Sequence, residues 1–255
     1  MRYRVIVLAA VVAVAISCSE RSGSDSAAEP DLTGKWSRTT PGGAGEQPSI
    51  VPGDLYGLKG LKPPLTAWGE AKFNSHIPAM GIRATEHPND GTTFQCLPPG
   101  IPRIYWESGL MEFHQRPGRV VQVWEFNHYY RVIHTDGRGH PEDVNAYPTW
   151  MGHSIGRWDG DTLVVETVGF NDRSWLDRVG NPHSESLKVT ERIRRVDNGN
   201  ITIDITIEDP IAYTKPWTTP QVRYRLNPDI EFIEQICEDK GDYEEVLEEL
   251  ARPEK

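Results

Sequence analysis

Cysteine and positive charge are both scarce in this chain, and each shortage narrows what it can be. Only three cysteines occur, Cys18, Cys96 and Cys237, which leaves room for one bridge and one cysteine over. Lys and Arg number 27 against 37 Asp and Glu, a formal net charge of −10, and that balance argues against nucleic acid or an anionic lipid surface as a partner. Long apolar runs are also missing. The run at residues 5–16 would span about 18 Å as a helix, against a bilayer core of about 30 Å, so it is too short for a comfortable membrane crossing. No strand-like run is followed by a crossover helix, which excludes a parallel α/β sheet. No internal repeat is visible. His128 and His134 share a strand face, but six strand residues separate them by about 20 Å, too far for one ion. No metal and no other cofactor is therefore expected.

What is present begins with an export signal. Arg2 and Arg4 precede the apolar run, and Ala15-Ile16-Ser17-Cys18 closes it with small residues, the layout of a cleaved secretory leader. The stretch resembles a bacterial lipoprotein cleavage box, which implies lipidation of Cys18 and attachment to a membrane through that lipid. Ser19, rather than an aspartate, then implies an outer membrane lipoprotein; an ordinary leader cut nearby would instead leave a periplasmic protein. Residues 19–30 are small, polar and charged and read as a flexible tether. Residues 31–255 are expected to form a single β-rich domain. Export places Cys96 and Cys237 where disulfides persist. If they pair, the chain-entropy model assigns the bridge roughly 5 kcal/mol as an upper figure; the alternative is two separate thiols.

The Pro- and Gly-rich region before residue 103 reads mostly as loop, with a strand at residues 32–36 and a short helix from Ala67 capped by Thr66. Beyond it come short β-rich runs at residues 103–106, 111–115, 119–126, 128–135, 154–158, 162–170, 186–196, 201–208, 222–226 and 231–237. Asp136-Gly137, Asp159-Gly160 and residues 197–200 supply turns. The fold class is mainly β: an antiparallel meander closing into a lipocalin-like barrel or a sandwich. Residues 242–250 read as a short capped helix with one apolar edge.

Alternation breaks in two places. Ile201, Ile203, Ile205 and Ile207 share one face while the polar residues between them share the other, an ordinary half-wet strand. Glu191, however, shares its face with Leu187, Val189 and Ile193, and Glu234 shares its face with Ile230, Phe232 and Ile236. Both carboxylates are expected to look inward, where each would need an Arg, a His or a wet cavity beside it. Arg131, Arg157, Arg192 and Arg194 are the candidate partners.

Residues 148–191 concentrate His, Asp, Arg and Trp on loops, where sites are usually displayed. Gly152-His153-Ser154-Ile155-Gly156 matches the G-x-S-x-G pattern of serine hydrolases, but a strand and hairpin follow the serine where a nucleophile elbow needs a helix. His153, Asp172 and His183 are the candidate acid–base residues, since imidazole titrates near neutral pH. Trp150, Trp158 and Trp175, interleaved with Arg157, Arg173 and Arg178, suit stacking on a sugar or planar ring.

Residues 63–73, Cys96-Leu97-Pro98-Pro99-Gly100, residues 149–172 and Tyr213-Thr214-Lys215-Pro216-Trp217 together resemble a family of exported bacterial proteins. The resemblance implies a shared fold and export and assigns no catalytic residue. Gly34-Lys35-Trp36 is similar to the G-x-W opening of lipocalins, although the long insertion at residues 41–102 departs from a simple lipocalin. The expected function is binding of a small polar or aromatic ligand in an internal cavity walled by Arg157, Trp158, Asn171, Arg173, Glu185, Glu191 and Glu234. A hydrolase or lyase using His153, Asp172 and His183 competes with it, as does a structural envelope lipoprotein.

Overall fold

Alternating apolar residues separated by Gly-containing turns build one curved sheet. The structure, a computed structural model, describes residues 29–39, 63–79, 83–107 and 109–237. Strand β1 (Gly34–Thr39) is followed by helices α1 (Ala67–Ser75) and α2 (Gly91–Phe94) and a 3-10 turn at Arg103–Trp106. Strands β2 (Leu110–Arg116), β3 (Arg119–Trp124), β4 (Tyr130–His134), β5 (His153–Asp159), β6 (Thr162–Val168), β7 (Lys188–Arg195), β8 (Asn200–Glu208), β9 (Trp217–Thr218) and β10 (Val222–Leu226) complete the order. Neighbours pair in sequence from β1 to β9, while β10 pairs with both β1 and β8. That double pairing closes a nine-stranded barrel, with β9 lying further along the same edge of β8. The barrel expectation is met.

The interior is lined as the period of two requires. Ile201, Ile203, Ile205 and Ile207 are fully buried, and they meet Trp36, Phe113, Ile133, Leu163 and Val165 in one cluster. Trp36 is closed over by the Arg195 guanidinium, 5.6 Å from its ring centroid, and donates its ring N–H to the Leu32 carbonyl. Thr66 caps α1 as expected, its hydroxyl accepting from the Gly69 N–H at 3.1 Å.

Three expectations are corrected. The Arg103–Trp106 run is a 3-10 turn rather than a strand. All four of its side chains are buried, which a half-wet strand cannot achieve, and a short apolar run alone does not separate the two. Pairing is not antiparallel throughout, because β4 and β5 run parallel through Ile133–Ser154 and His134–Ile155. The long connection between them is what permits this. Residues 231–237 form no strand beyond one bridge between Phe126 and Gln235. Glu234 is exposed there, so no inward carboxylate exists at that position: without a paired strand, alternation has no buried face to impose.

Cys96 and Cys237 form a disulfide across 141 residues with their Cα atoms 5.6 Å apart. The bridge ties the end of the described chain to the loop between α2 and the 3-10 turn. Cys18, the leader, most of the tether and the expected helix at residues 242–250 lie outside the described residues.

Candidate functional site

The expected inward carboxylate Glu191 is fully buried on β7, and Arg131 on β4 reaches it from across the barrel. The guanidinium Nη1 and Nη2 atoms each lie 2.7 Å from one carboxylate oxygen, the fork geometry that makes such pairs strong. Tyr105 donates its hydroxyl proton to Glu191, and Gln122 joins Tyr105 and Arg131 through its amide. Ser154 and Thr167, hydrogen-bonded to each other at 2.9 Å, complete the set beside Arg131. Burial pushes the Tyr105 phenol well above its ordinary range, so it stays a donor. The interior polar group is thus satisfied by the protein itself. Ser154, the serine of the G-x-S-x-G match, is spent on this network and has no histidine partner.

The loops at the β6–β7 and β8–β9 end form a second polar layer. Fully buried Arg103 grips Asp90 through two 2.8 Å bonds and Glu107 through one of 2.9 Å; Glu107 also accepts from Arg178. Burial would lower the Arg103 pKa, but the two carboxylates reverse that and raise it. Asp177 accepts the backbone N–H groups of Val179, Gly180 and Asn181, folding residues 177–181 into a tight turn. Trp175 is stacked on His76 with centroids 4.6 Å apart, and His76 bonds the Gly180 carbonyl. Trp175 is therefore a plug. The same end carries the bridge between Leu65 and Tyr213 and the bond from the Tyr213 hydroxyl to the Pro182 carbonyl.

Beside these residues lies an exposed patch. Thr149 pairs with Phe170, which carries half-buried Trp150 alongside residues 171–174. The Arg173 guanidinium lies 4.9 Å from the Trp150 ring centroid, within cation–π range. Arg173 and its neighbour Asp172 are exposed, whereas Asn171 is buried and accepts the Arg173 N–H at 3.1 Å. Next along the chain, Ser174 Oγ is 3.0 Å from His183 Nε2, and His183 Nδ1 is 3.1 Å from the Ser184 carbonyl. A carbonyl only accepts, so Nδ1 carries the proton of the neutral ring and Nε2 accepts from the Ser174 hydroxyl. Burial lowers the His183 pKa, opposed by the Ser184 carbonyl and by Asp209 and Asp172. Asp209 holds Ser184 through its N–H at 2.6 Å and its hydroxyl at 2.9 Å.

Two of the three expected acid–base residues therefore share one locality, and the third does not. Asp172 and His183 lie together on the β6–β7 loop, whereas His153 opens β5 in a separate histidine cluster. Its Nδ1 lies 2.8 Å from His140 Nδ1, its ring is stacked on His134 at 5.4 Å, and Glu166 is 3.4 Å from His140 Nε2. Burial and the neighbouring His140, His134 and Arg138 lower the His153 pKa. Arg157 and Trp158 are also displaced from the expected site. The β5–β6 register pairs His153 with Val168 and Trp158 with Leu163, which puts the latter pair at the opposite end of the strand; Arg157 points to solvent and Trp158 packs on the core. Glu185 is exposed on the β6–β7 loop. The pairing residues Ser174, Ser184 and Asp209 carried no local signal, since each is an ordinary loop residue until the fold gathers them.

Among the described residues, no group of three or more His, Cys, Asp or Glu side chains is arranged to hold a metal ion. No protein-family model, curated protein or solved structure matches the chain, so the chemistry of the site rests on its own geometry.

Proposed function

We propose that the chain is an exported, lipid-anchored β-barrel domain that binds a small polar or aromatic ligand at this exposed patch. The observation that carries this reading is the exposed Arg173 guanidinium 4.9 Å from the half-buried Trp150 ring, adjacent in the chain to Ser174 of the Ser174–His183 pair. Arg173 supplies a fixed cation and donors, Trp150 an aromatic wall, and the adjoining residues supply a donor and acceptor on rigid backbone. The ligand is placed at the patch rather than inside the barrel, because Arg131, Tyr105 and Gln122 already take up the hydrogen bonds of Glu191. Export is supported by the leader pattern ending at Cys18, by the likeness to exported bacterial proteins and by a disulfide, which persists in oxidising compartments.

Benzoate and phenyl glucoside serve as charged and neutral probes. Tryptophan fluorescence or calorimetry should register benzoate binding in the wild type and lose it in Arg173→Ala and Trp150→Ala. Binding unchanged in both variants would overturn the patch as the site; no binding of either probe would favour the structural envelope reading. Separately, Cys18→Ser should release the protein from membranes into the soluble fraction. Continued partitioning with membranes would rule out the lipid anchor.

A further inference from the structure

We propose that Ser174 is a nucleophile activated by His183, and that the pair hydrolyses small carboxylic esters. This goes beyond binding and uses the site proposed above only for the approach of the substrate. The three positions such chemistry needs are present: a hydroxyl, a base within hydrogen-bond reach and a group that orients the base. Ser174 Oγ donates to His183 Nε2 at 3.0 Å. The Ser184 carbonyl, 3.1 Å from Nδ1, locks the tautomer that keeps the Nε2 lone pair on the serine. That carbonyl is itself fixed, since Asp209 accepts from both the N–H and the hydroxyl of Ser184 while also accepting from the N–H groups of Ile211 and Ala212.

The surroundings suit the role. His183 is buried, which keeps the imidazole neutral near pH 7 and able to take a proton. Gly100 faces the serine, and a Cβ at that position would come within 2.9 Å of Ser174 Oγ. Glycine is what lets the chain pack this closely on Ser174, and its φ of +72° is one that other residues rarely adopt. Arg173, one residue before the serine and exposed, is placed to hold an anionic or aromatic portion of the ester over Trp150.

In the first half-reaction Ser174 Oγ bonds to the ester carbonyl carbon while its proton passes to His183 Nε2. The carbon–oxygen bond to the alcohol then breaks, and the same proton leaves on the departing alkoxide. Water next adds to the acyl-serine, giving its proton to Nε2. Collapse of that adduct breaks the bond to Oγ, returns the proton to the serine and releases the carboxylic acid. No oxidant, reductant or metal enters the balance.

The test uses the mature, disulfide-bonded chain with 4-nitrophenyl acetate as substrate and a fluorophosphonate probe as label. Ser174 should carry the label, Ser174→Ala should abolish it together with hydrolysis, and His183→Gln should slow hydrolysis by about 10²-fold or more, the range for loss of a general base. Because burial holds the His183 pKa below the ordinary 6.5, wild-type rates should be sustained at pH 6.5 and fall only at lower pH, whereas the residual rate of His183→Gln should not fall. Ser154→Ala should be labelled as wild type is. Label on Ser154, absence of label anywhere, or a Ser174→Ala protein that hydrolyses at the wild-type rate would overturn the proposal. Should Ser174→Ala not fold, Ser174→Gly and the site of labelling in the wild type decide it. Benzoate binding without labelling defeats the nucleophile alone; labelling without Arg173-dependent binding defeats the ligand reading alone.

Discussion

Arg131 and Glu191, 60 positions apart, meet face to face in the barrel interior, each carboxylate oxygen 2.7 Å from a guanidinium nitrogen. Neither side chain is more than a few per cent exposed. The pair joins β4 to β7, which are not neighbours in the sheet, so it ties opposite walls of the barrel together. A charged centre of this kind is tolerable only while both partners stay and every remaining donor is used.

Removing both partners should therefore cost less than the two single losses added together. Glu191→Leu or Arg131→Met alone is expected to lose about 3–5 kcal/mol, because a buried charge is left unpaired, while the double variant loses less than the sum of the two. Urea unfolding measures each. Additive losses would mean that the two charges do not support one another.

The Cys96–Cys237 bridge should contribute about 2–5 kcal/mol, the usual cost of losing a native disulfide. A Cys96→Ser/Cys237→Ser variant should unfold at lower denaturant, and the wild type should match it once reduced. Thiol titration of the unfolded, non-reduced protein should find neither of these two cysteines free.

Acid should destabilise the fold in a specific window. Burial lowers the pKa of His183, His76, His153 and His134 from the ordinary 6.5. The unfolded chain then binds more protons than the folded one between each lowered value and 6.5. Stability is full above 6.5 and is lost as pH falls through the folded values. Melting temperature should follow that course, and His183→Gln should show a shallower fall than wild type.

Gly69 reverses a common rule. An Ala for Gly exchange in an exposed helix interior gains roughly 1 kcal/mol, yet a Cβ on Gly69 would sit 2.2 Å from the Ala212 carbonyl oxygen. Gly69→Ala is expected to destabilise by about 1–3 kcal/mol, the range for overpacking. A gain measured by urea unfolding would show that α1 can move off the Asp209–Ala212 turn.

Much of this architecture is legible in residue order, and the failures share a cause. The isoleucines of β8 alternate, Thr66 caps α1, and Glu191 falls on an apolar face with Arg131 among its candidate partners. The alternation and the cap depend on residues within a few positions of one another, whereas the choice of Arg131 for Glu191 spans 60 positions and was made by the closed sheet. Glu234 obeyed the same alternation and is nevertheless exposed, because period two means burial only when a paired strand supplies the other wall. Arg103–Trp106 had the composition of a strand and became a turn, since its Arg finds Asp90 and Glu107 rather than a sheet neighbour.

The sites divide in the same way. The order of amino acids determined that the chain forms a meander of short strands, that two cysteines were free to pair, and that residues 148–191 would concentrate polar chemistry, while closure as a barrel rather than a sandwich came from β10 pairing with both β1 and β8. Only the tertiary structure decided that His153 would join His134 and His140 on one side while His183 turned to Ser174. Strand periodicity acts through neighbours along the backbone. Which loop side chains converge is set by how the closed sheet brings distant ends together, and no local pattern encodes that.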